Sequence, residues 1–320
     1  MKRNGILKGL FVLMIFVSWA PFEIAAYPDL PEGKRSVTGP VARLKITENS
    51  FPFQSDIPTG DKTMRLEQER DPSTGAVIRE KLYDESGVFQ WESVNTYDEE
   101  GKLIEQSTYD KEGRLKWRNM YEHSDEGQVE KKIQMSGAEQ IEATMIYRYS
   151  DDRLEEESMY NAAGALQWSK KYTYYSDRDV ECSTYYPDGS RIKTIREVYN
   201  STGLIIREVH TDELGSVFED AHFVYDSGNR LTELRVYDGF GRLRELRLRE
   251  YNRYGNMIRE VKDFPFEKRV AEYRYGYTYD TNANWTERTV DYYVSYDGDD
   301  MDPVSRTEIL RTIEYASEEE

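Results

Sequence analysis

The stretch YDEEGKLIEQSTYDKEGRL, Tyr97 to Leu115, holds two copies of one short pattern. A tyrosine is followed by Asp, two variable residues, a glycine, and an apolar residue six positions after the tyrosine. The physics of the pattern is local. The Asp accepts backbone N–H groups and opens a type I turn, and the glycine takes the left-handed conformation that closes a three-residue hairpin loop with a bulge. Between turns lie about seven to nine residues, enough for a strand of about five to six.

The pattern extends in both directions. It recurs at Tyr83–Gly87 and Tyr237–Gly241, and with Asn for Asp at Tyr160–Gly164, Tyr199–Gly203 and Tyr251–Gly255; the quoted pair uses Gly101 and Gly113. Aligned slots form two interleaved series. One runs Tyr97, His123, Tyr149, Tyr175, Tyr199, Tyr225, Tyr251, Tyr279, and the other Tyr83, Tyr109, Met135, Tyr160, Tyr186, Thr211, Tyr237, Phe264. The unit is thus a two-turn dyad of about 26 residues, repeated about eight times. Many intervening segments alternate with period two: Tyr273, Tyr275, Tyr277 and Tyr279 share one face, as do Tyr147 with Tyr149 and Phe223 with Tyr225. Charged and Thr residues fill the other positions, the pattern of a half-solvated antiparallel sheet. In RLRELRLREY, Arg242 to Tyr251, the apolar phase flips, which predicts a bulge. Prolines agree: Pro21, Pro28, Pro31, Pro40, Pro52, Pro58 and Pro72 precede the first clear copy, and ladders exclude proline from central strands. The predicted fold is all-β: an elongated, twisted or curled antiparallel sheet of tandem β-hairpin repeats.

At its start the chain reads MKRNGILKG, then an apolar run from Leu10 to Val17, then Ala25 and Ala26. That is the layout of a secretory signal peptide over 1–26. Residues 27–64 read as an irregular proline-containing leader, 65–296 as the repeat array, and 297–320 as a loop, a capping strand and an acidic tail. No second long apolar stretch follows, so no integral membrane segment is expected in the mature chain. The protein is expected to be exported: periplasmic, on the cell surface or secreted. A net charge of −18 disfavours nucleic acid as a partner. The single cysteine, Cys182, forms no internal disulfide.

The copies YDEEGKL, YDKEGRL and YDGFGRL resemble the YD repeats of the RHS family, over roughly residues 70–290. The resemblance implies a long antiparallel sheet of hairpins that winds into a shell, carried by secreted or surface proteins, some of which enclose a toxic C-terminal domain. The sequence lacks that family's C-terminal core segment, and few residues follow Tyr296. A toxin domain is therefore not expected. The motif is also similar to bacterial aromatic-glycine repeats that bind cell-wall sugars.

Nothing in the sequence reads as a catalytic centre. His123, His210 and His222 lack paired ligand spacing, and nucleophile elbows, phosphate loops and dinucleotide fingerprints are absent. Neither an enzymatic activity nor a cofactor is expected. Asp280, Asn282 and Asn284 imitate a calcium loop but belong to a repeat turn, and the acidic loop Asp297, Asp299, Asp300 and Asp302 is a better calcium candidate. Trp91, Trp117 and Trp168 are the candidate ligand-stacking residues. Each lies four residues after a turn glycine, and each is expected to share a face with Phe89, Leu115 or Leu166 two residues before it. A core rib is one reading of them, and a stacking stripe for sugar or peptide is the other. Later copies carry Lys193, Glu219 and Glu245 there. The expected function is a non-enzymatic binding or structural module with an unidentified protein or glycan partner. The alternatives are an RHS-like shell or partner subunit of another secreted protein, and lastly an envelope hydrolase.

Overall fold

The computed structural model describes residues 41–52, 63–84 and 86–316. These belong to one unit, Thr38–Glu320. The expected signal peptide, most of the leader and the last acidic residues lie outside the described residues.

Twenty strands follow one another: β1 (Val41–Pro52), β2 (Thr63–Arg70), β3 (Val77–Tyr83), β4 (Phe89–Tyr97), β5 (Leu103–Asp110), β6 (Leu115–His123), β7 (Val129–Ser136), β8 (Ile141–Ser150), β9 (Arg153–Asn161), β10 (Leu166–Ser176), β11 (Asp179–Tyr185), β12 (Arg191–Tyr199), β13 (Ile205–Thr211), β14 (Val217–Tyr225), β15 (Leu231–Asp238), β16 (Leu243–Tyr251), β17 (Met257–Phe264), β18 (Arg269–Tyr279), β19 (Trp285–Tyr296) and β20 (Asp302–Tyr315). Each pairs antiparallel with its neighbours in sequence, and β20 pairs with β1, Leu44 opposite Ile313 and Ile46 opposite Arg311. The sheet is therefore a closed up-and-down barrel. This corrects the expectation of an elongated, twisted or curled sheet of tandem β-hairpin repeats; the all-β class holds. The strand expected to cap the far end instead closes the ring, and part of the stretch read as irregular leader supplies β1. Twenty strands spaced about 4.8 Å apart give a circumference of about 95 Å, in the size range that leaves an interior wider than side chains fill. Among the described residues each strand touches only its two sheet neighbours.

The turns form as their sequence dictates. In ten of them the Asp or Asn after the motif position accepts the backbone N–H groups two and four residues on, at 2.8–3.1 Å. The closing glycine is left-handed, as at Gly113 with φ 77°. Every odd-to-even turn lies at one end of the barrel, and every even-to-odd turn at the other. The two series found in the sequence are thus the two rims.

A bulge follows most turns. Tyr83 pairs with Phe89 but Leu82 pairs with Trp91, so Gln90 is an extra residue. The same slip falls at Lys116, at Gln167 and at Arg244, where the phase flip in Arg242–Tyr251 predicted it. Each bulge flips the phase. Tyr83 and Phe89 therefore share one face, their rings 5.8 Å apart, while Trp91 lies with Leu82 on the other. The expectation that each tryptophan shares a face with the apolar residue two positions before it is corrected by this slip.

The register puts Leu44, Ile46, Leu66, Leu82, Met145 and Val236 on a single face of the sheet, all buried. Side chains crowd on the concave face of a closed sheet and splay on the convex one, so this is the inner face. Fourteen apolar side chains are buried among the described residues. That is few for twenty strands, and most inner-face residues remain half-exposed, as in an unfilled interior. The outer face carries cross-strand ion pairs: Arg196 with Asp179, Arg207 with Asp220, Arg259 with Glu272 and Arg306 with Asp291.

No helix among the described residues is long and apolar enough to cross a membrane. That criterion has no bearing on a barrel, which crosses with strands. The expectation of no integral membrane segment rested on it alone and is withdrawn, since the closed ring is itself a membrane-compatible architecture.

Candidate functional site: the aromatic inner wall

The inner face of β4 to β10 brings the three candidate tryptophans together near one rim. Trp91, Trp117 and Trp168 are the third residues of β4, β6 and β10, and all are half-buried. They are neither core ribs nor fully exposed plates. Trp168 lies under the Lys170 ammonium, 5.0 Å from its ring.

Further along the same strands runs a ladder of amides. Gln106 Nε2 donates to Asn95 Oδ1 at 3.2 Å, and Asn119 Nδ2 donates to Gln106 Oε1 at 3.3 Å. Gln134 is opposite Asn119 on the next strand. Side-chain amides in register on neighbouring strands offer alternating donors and acceptors.

At the opposite rim the tyrosines point inward and latch the wall. Tyr97, Tyr149, Tyr174, Tyr225, Tyr251 and Tyr277 each donate a phenolic hydrogen bond to the backbone carbonyl twenty residues earlier, at 2.7–3.0 Å. Each acceptor is at or next to the start of the neighbouring strand. Two sequence slots shift here: Tyr174 and Tyr277, not Tyr175 and Tyr279, make the latch. His123 occupies a slot without a phenol. Tyr199 donates to Glu197 instead. The other series is different, since Tyr83, Tyr109, Tyr160 and Tyr237 face outward at the tryptophan rim.

Between the belts sits a charged cluster that sequence reading missed. Glu157 is 2% exposed and accepts from Lys170 Nζ at 3.0 Å. Tyr172 also points its hydroxyl at Glu157, at 3.4 Å. Lys132 is buried above Tyr121, 5.8 Å from the ring centroid. Burial pushes the Lys132 ammonium below its ordinary range, against the pull of Glu157. Burial also raises the phenol of Tyr121 to about 12 and raises Tyr172, with Cys182 and Glu157 adding to the latter. Cys182 is raised by the same burial, which leaves its thiol protonated and unreactive at neutral pH. The signal in sequence was present: Lys132, Glu157 and Lys170 occupy inner-face parity positions, visible once the bulges are placed.

The opposite inner wall is built differently. Arg249 pairs with Glu260 at 2.8 Å, and Trp285 is buried between the guanidiniums of Arg288 and Arg311, 5.4 and 4.2 Å from its ring. Here the amides Asn252 and Asn256 donate to the Tyr279 hydroxyl, and Tyr273 stacks on Tyr292.

The calcium candidates do not assemble. Asp280 spends its Oδ1 on the N–H groups of Asn282 and Asn284. Asp297 pairs with Lys268 at 2.8 Å. No group of three or more His, Cys, Asp or Glu among the described residues is placed to hold a metal ion.

No protein-family model matches the sequence, and no curated protein matches it. Among solved structures, it is similar to a porin-like protein from Bacteroides uniformis ATCC 8492, at 14% identity and TM-score 0.34, over 87% of this chain and 98% of that one. It is also similar to TcdB2-TccC3 without its hypervariable C-terminal region, at 11% identity and TM-score 0.16, over 76% of this chain and 19% of that one. A putative outer membrane protein from Bacteroides fragilis NCTC 9343 follows at 9% identity and TM-score 0.10, over 85% and 97% of the two chains. At these scores the similarities carry no functional argument. The likeness to YD repeats remains a likeness of motif.

Proposed function

We propose that this protein is an exported, non-enzymatic binding barrel of the bacterial envelope or extracellular space, and that it takes a glycan along its inner wall. The observation that carries the reading is the juxtaposition on β4 to β10 of half-exposed tryptophans with an amide ladder. Sugar rings present axial C–H groups that stack on indole and hydroxyls that alternate as donors and acceptors. A wall with aromatic plates and paired amides meets both needs. The half-burial of Trp91, Trp117 and Trp168 supports stacking, since each side chain is partly held by the wall and partly accessible. A hydrolase reading has less support, since the buried Glu157 is tied to Lys170.

The test is a titration of the mature chain with soluble cell-wall oligosaccharides, read by tryptophan fluorescence and by calorimetry. Saturable binding that weakens at least tenfold in Trp91→Ala/Trp117→Ala/Trp168→Ala, with the fold retained by circular dichroism, is the expected result. Equal binding by the triple variant refutes the stacking role. Closure of the sheet favours one second reading, an RHS-like shell or partner subunit around another secreted protein. That reading expects a protein ligand in the interior and indifference to sugars.

A further inference from the structure

The turn pattern places its fourth residue, the one before the closing glycine, at the tip of the hairpin, facing water. On the tryptophan rim the tips are Ser86, Glu112, Ala163 and Asp188, polar or small. At two successive turns the rule is broken: Leu214 is 84% exposed and Phe240 is 86% exposed. The next turn adds Phe266, 54% exposed. Isolated exposed apolar residues need no explanation. Three on consecutive hairpins of one rim make a row, because alternate strands of a sheet are about 10 Å apart.

The row is organised. The Arg242 guanidinium lies 5.2 Å from the Phe240 ring and 5.1 Å from the Phe266 ring, so one cation bridges adjacent tips. The two turn aspartates are engaged within their own hairpins, while Glu213 and Glu267 stay exposed beside the row. Asp212 accepts from the backbone of Leu214 and Ser216, and Asp238 accepts from the backbone of Phe240 and from Arg242. The Phe240 tip therefore presents an apolar group beside a cation matched by Asp238, on a protein that is otherwise strongly acidic.

We propose that Leu214, Phe240 and Phe266 form a lipid-contacting edge, by which this rim seats on the surface of a zwitterionic bilayer. The inference is independent of what the inner wall binds. Separate side chains standing on convex turns of a closed sheet provide no strand edge for a peptide. A fluid acyl boundary accommodates such wedges without complementary pockets, and long cationic side chains such as Arg242 reach back to the headgroups. The row has no excess of positive charge, since Arg242 is matched by Asp238 and Arg269 by Glu267, and the net charge of −18 repels an anionic surface, which selects zwitterionic over anionic lipid.

Flotation of the mature chain with phosphatidylcholine vesicles tests this, in parallel with vesicles containing phosphatidylglycerol. The expected result is co-flotation with phosphatidylcholine that persists at high salt and does not rise with phosphatidylglycerol. Leu214→Ser/Phe240→Ser/Phe266→Ser is expected to bind at least tenfold less, while Glu112→Ser, at a polar tip of the same rim, binds as the parent does. Thermal unfolding of each variant establishes that the barrel is retained. Absence of flotation by the parent overturns the proposal. So does equal flotation by the triple variant, binding that grows with anionic lipid, or a rim-dependent dimer in place of lipid binding.

Discussion

Replacing Tyr251 by Phe removes one oxygen and, with it, the hydrogen bond of 2.7 Å to the Leu231 carbonyl. The ring stays, so packing is unchanged and the cost is that of the bond together with the hydroxyl's contact with Arg249. A net contribution of about 0.5–1.5 kcal/mol is typical for such a bond. Six latches of this kind ring one end of the barrel. Neighbouring latches are at least two strands, about 10 Å, apart, a separation at which effects add. Removing all six should therefore cost about 3–9 kcal/mol, a large share of a typical domain's stability. Urea unfolding followed by intrinsic fluorescence measures this, and the single variant is expected to lose about 1 kcal/mol with an unchanged slope. Tyr237→Phe is the control, because that residue's edge contact with His222 survives the change. If Tyr251→Phe and Tyr237→Phe are equally harmless, the latch contributes nothing and the reasoning fails.

Other outcomes follow from the same geometry. His123 occupies a latch slot twenty residues after Leu103, so His123→Tyr should add a seventh latch and raise stability by about 1 kcal/mol in the same assay. A Cβ on Gly239 would lie 2.1 Å from the Val217 carbonyl oxygen, whereas one on Gly113 meets open space. Both substitutions cost stability, since Gly113 is left-handed, but Gly239→Ala should lower the melting temperature more than Gly113→Ala. The carboxyls of Asp226 and Asp238 are held below their ordinary range by the side chains of Arg230 and Arg242, and that of Glu272 by Arg259. Their contribution is present above the unfolded carboxylate range and is lost as pH falls through the folded values, so unfolding midpoints measured from pH 6 down to pH 2 should decline below about pH 4. Burial holds Tyr121 and Tyr277 at about 12, above the unfolded phenol. Their contribution is complete below about pH 10 and is lost as pH rises towards 12, so phenolate absorbance and loss of structure should appear together in that window.

Local features were legible in the sequence and long-range ones were not. Each turn is fixed by five residues, so Tyr97–Gly101 or Asn252–Gly255 announces itself, and the alternation of two series already contained the two rims. The closure of the ring was hidden, because pairing of Leu44 with Ile313 leaves no mark within a short window. The prolines around Val41 to Ile46 led to an irregular leader being read there, where β1 runs. The placement of the tryptophans in one group was readable, whereas their face was not. A single unmarked residue such as Gln90 reverses the phase of the strand that follows. The Glu157–Lys170 pair stayed invisible for the same reason, since the inner face is known only after every bulge is counted.

The join between β1 and β20 also sets a timetable. Nineteen of the twenty strand pairings link neighbours in sequence, and hairpins of that kind form within about 1–10 μs. The twentieth unites positions 44 and 313, so it waits for the whole chain to emerge. Until then the sheet is a ribbon with two unpaired edges, each a template for another molecule's strand. The final 14-residue strand is thus also a lock against aggregation, and any delay in its arrival lengthens the interval in which two unfinished copies can splice together.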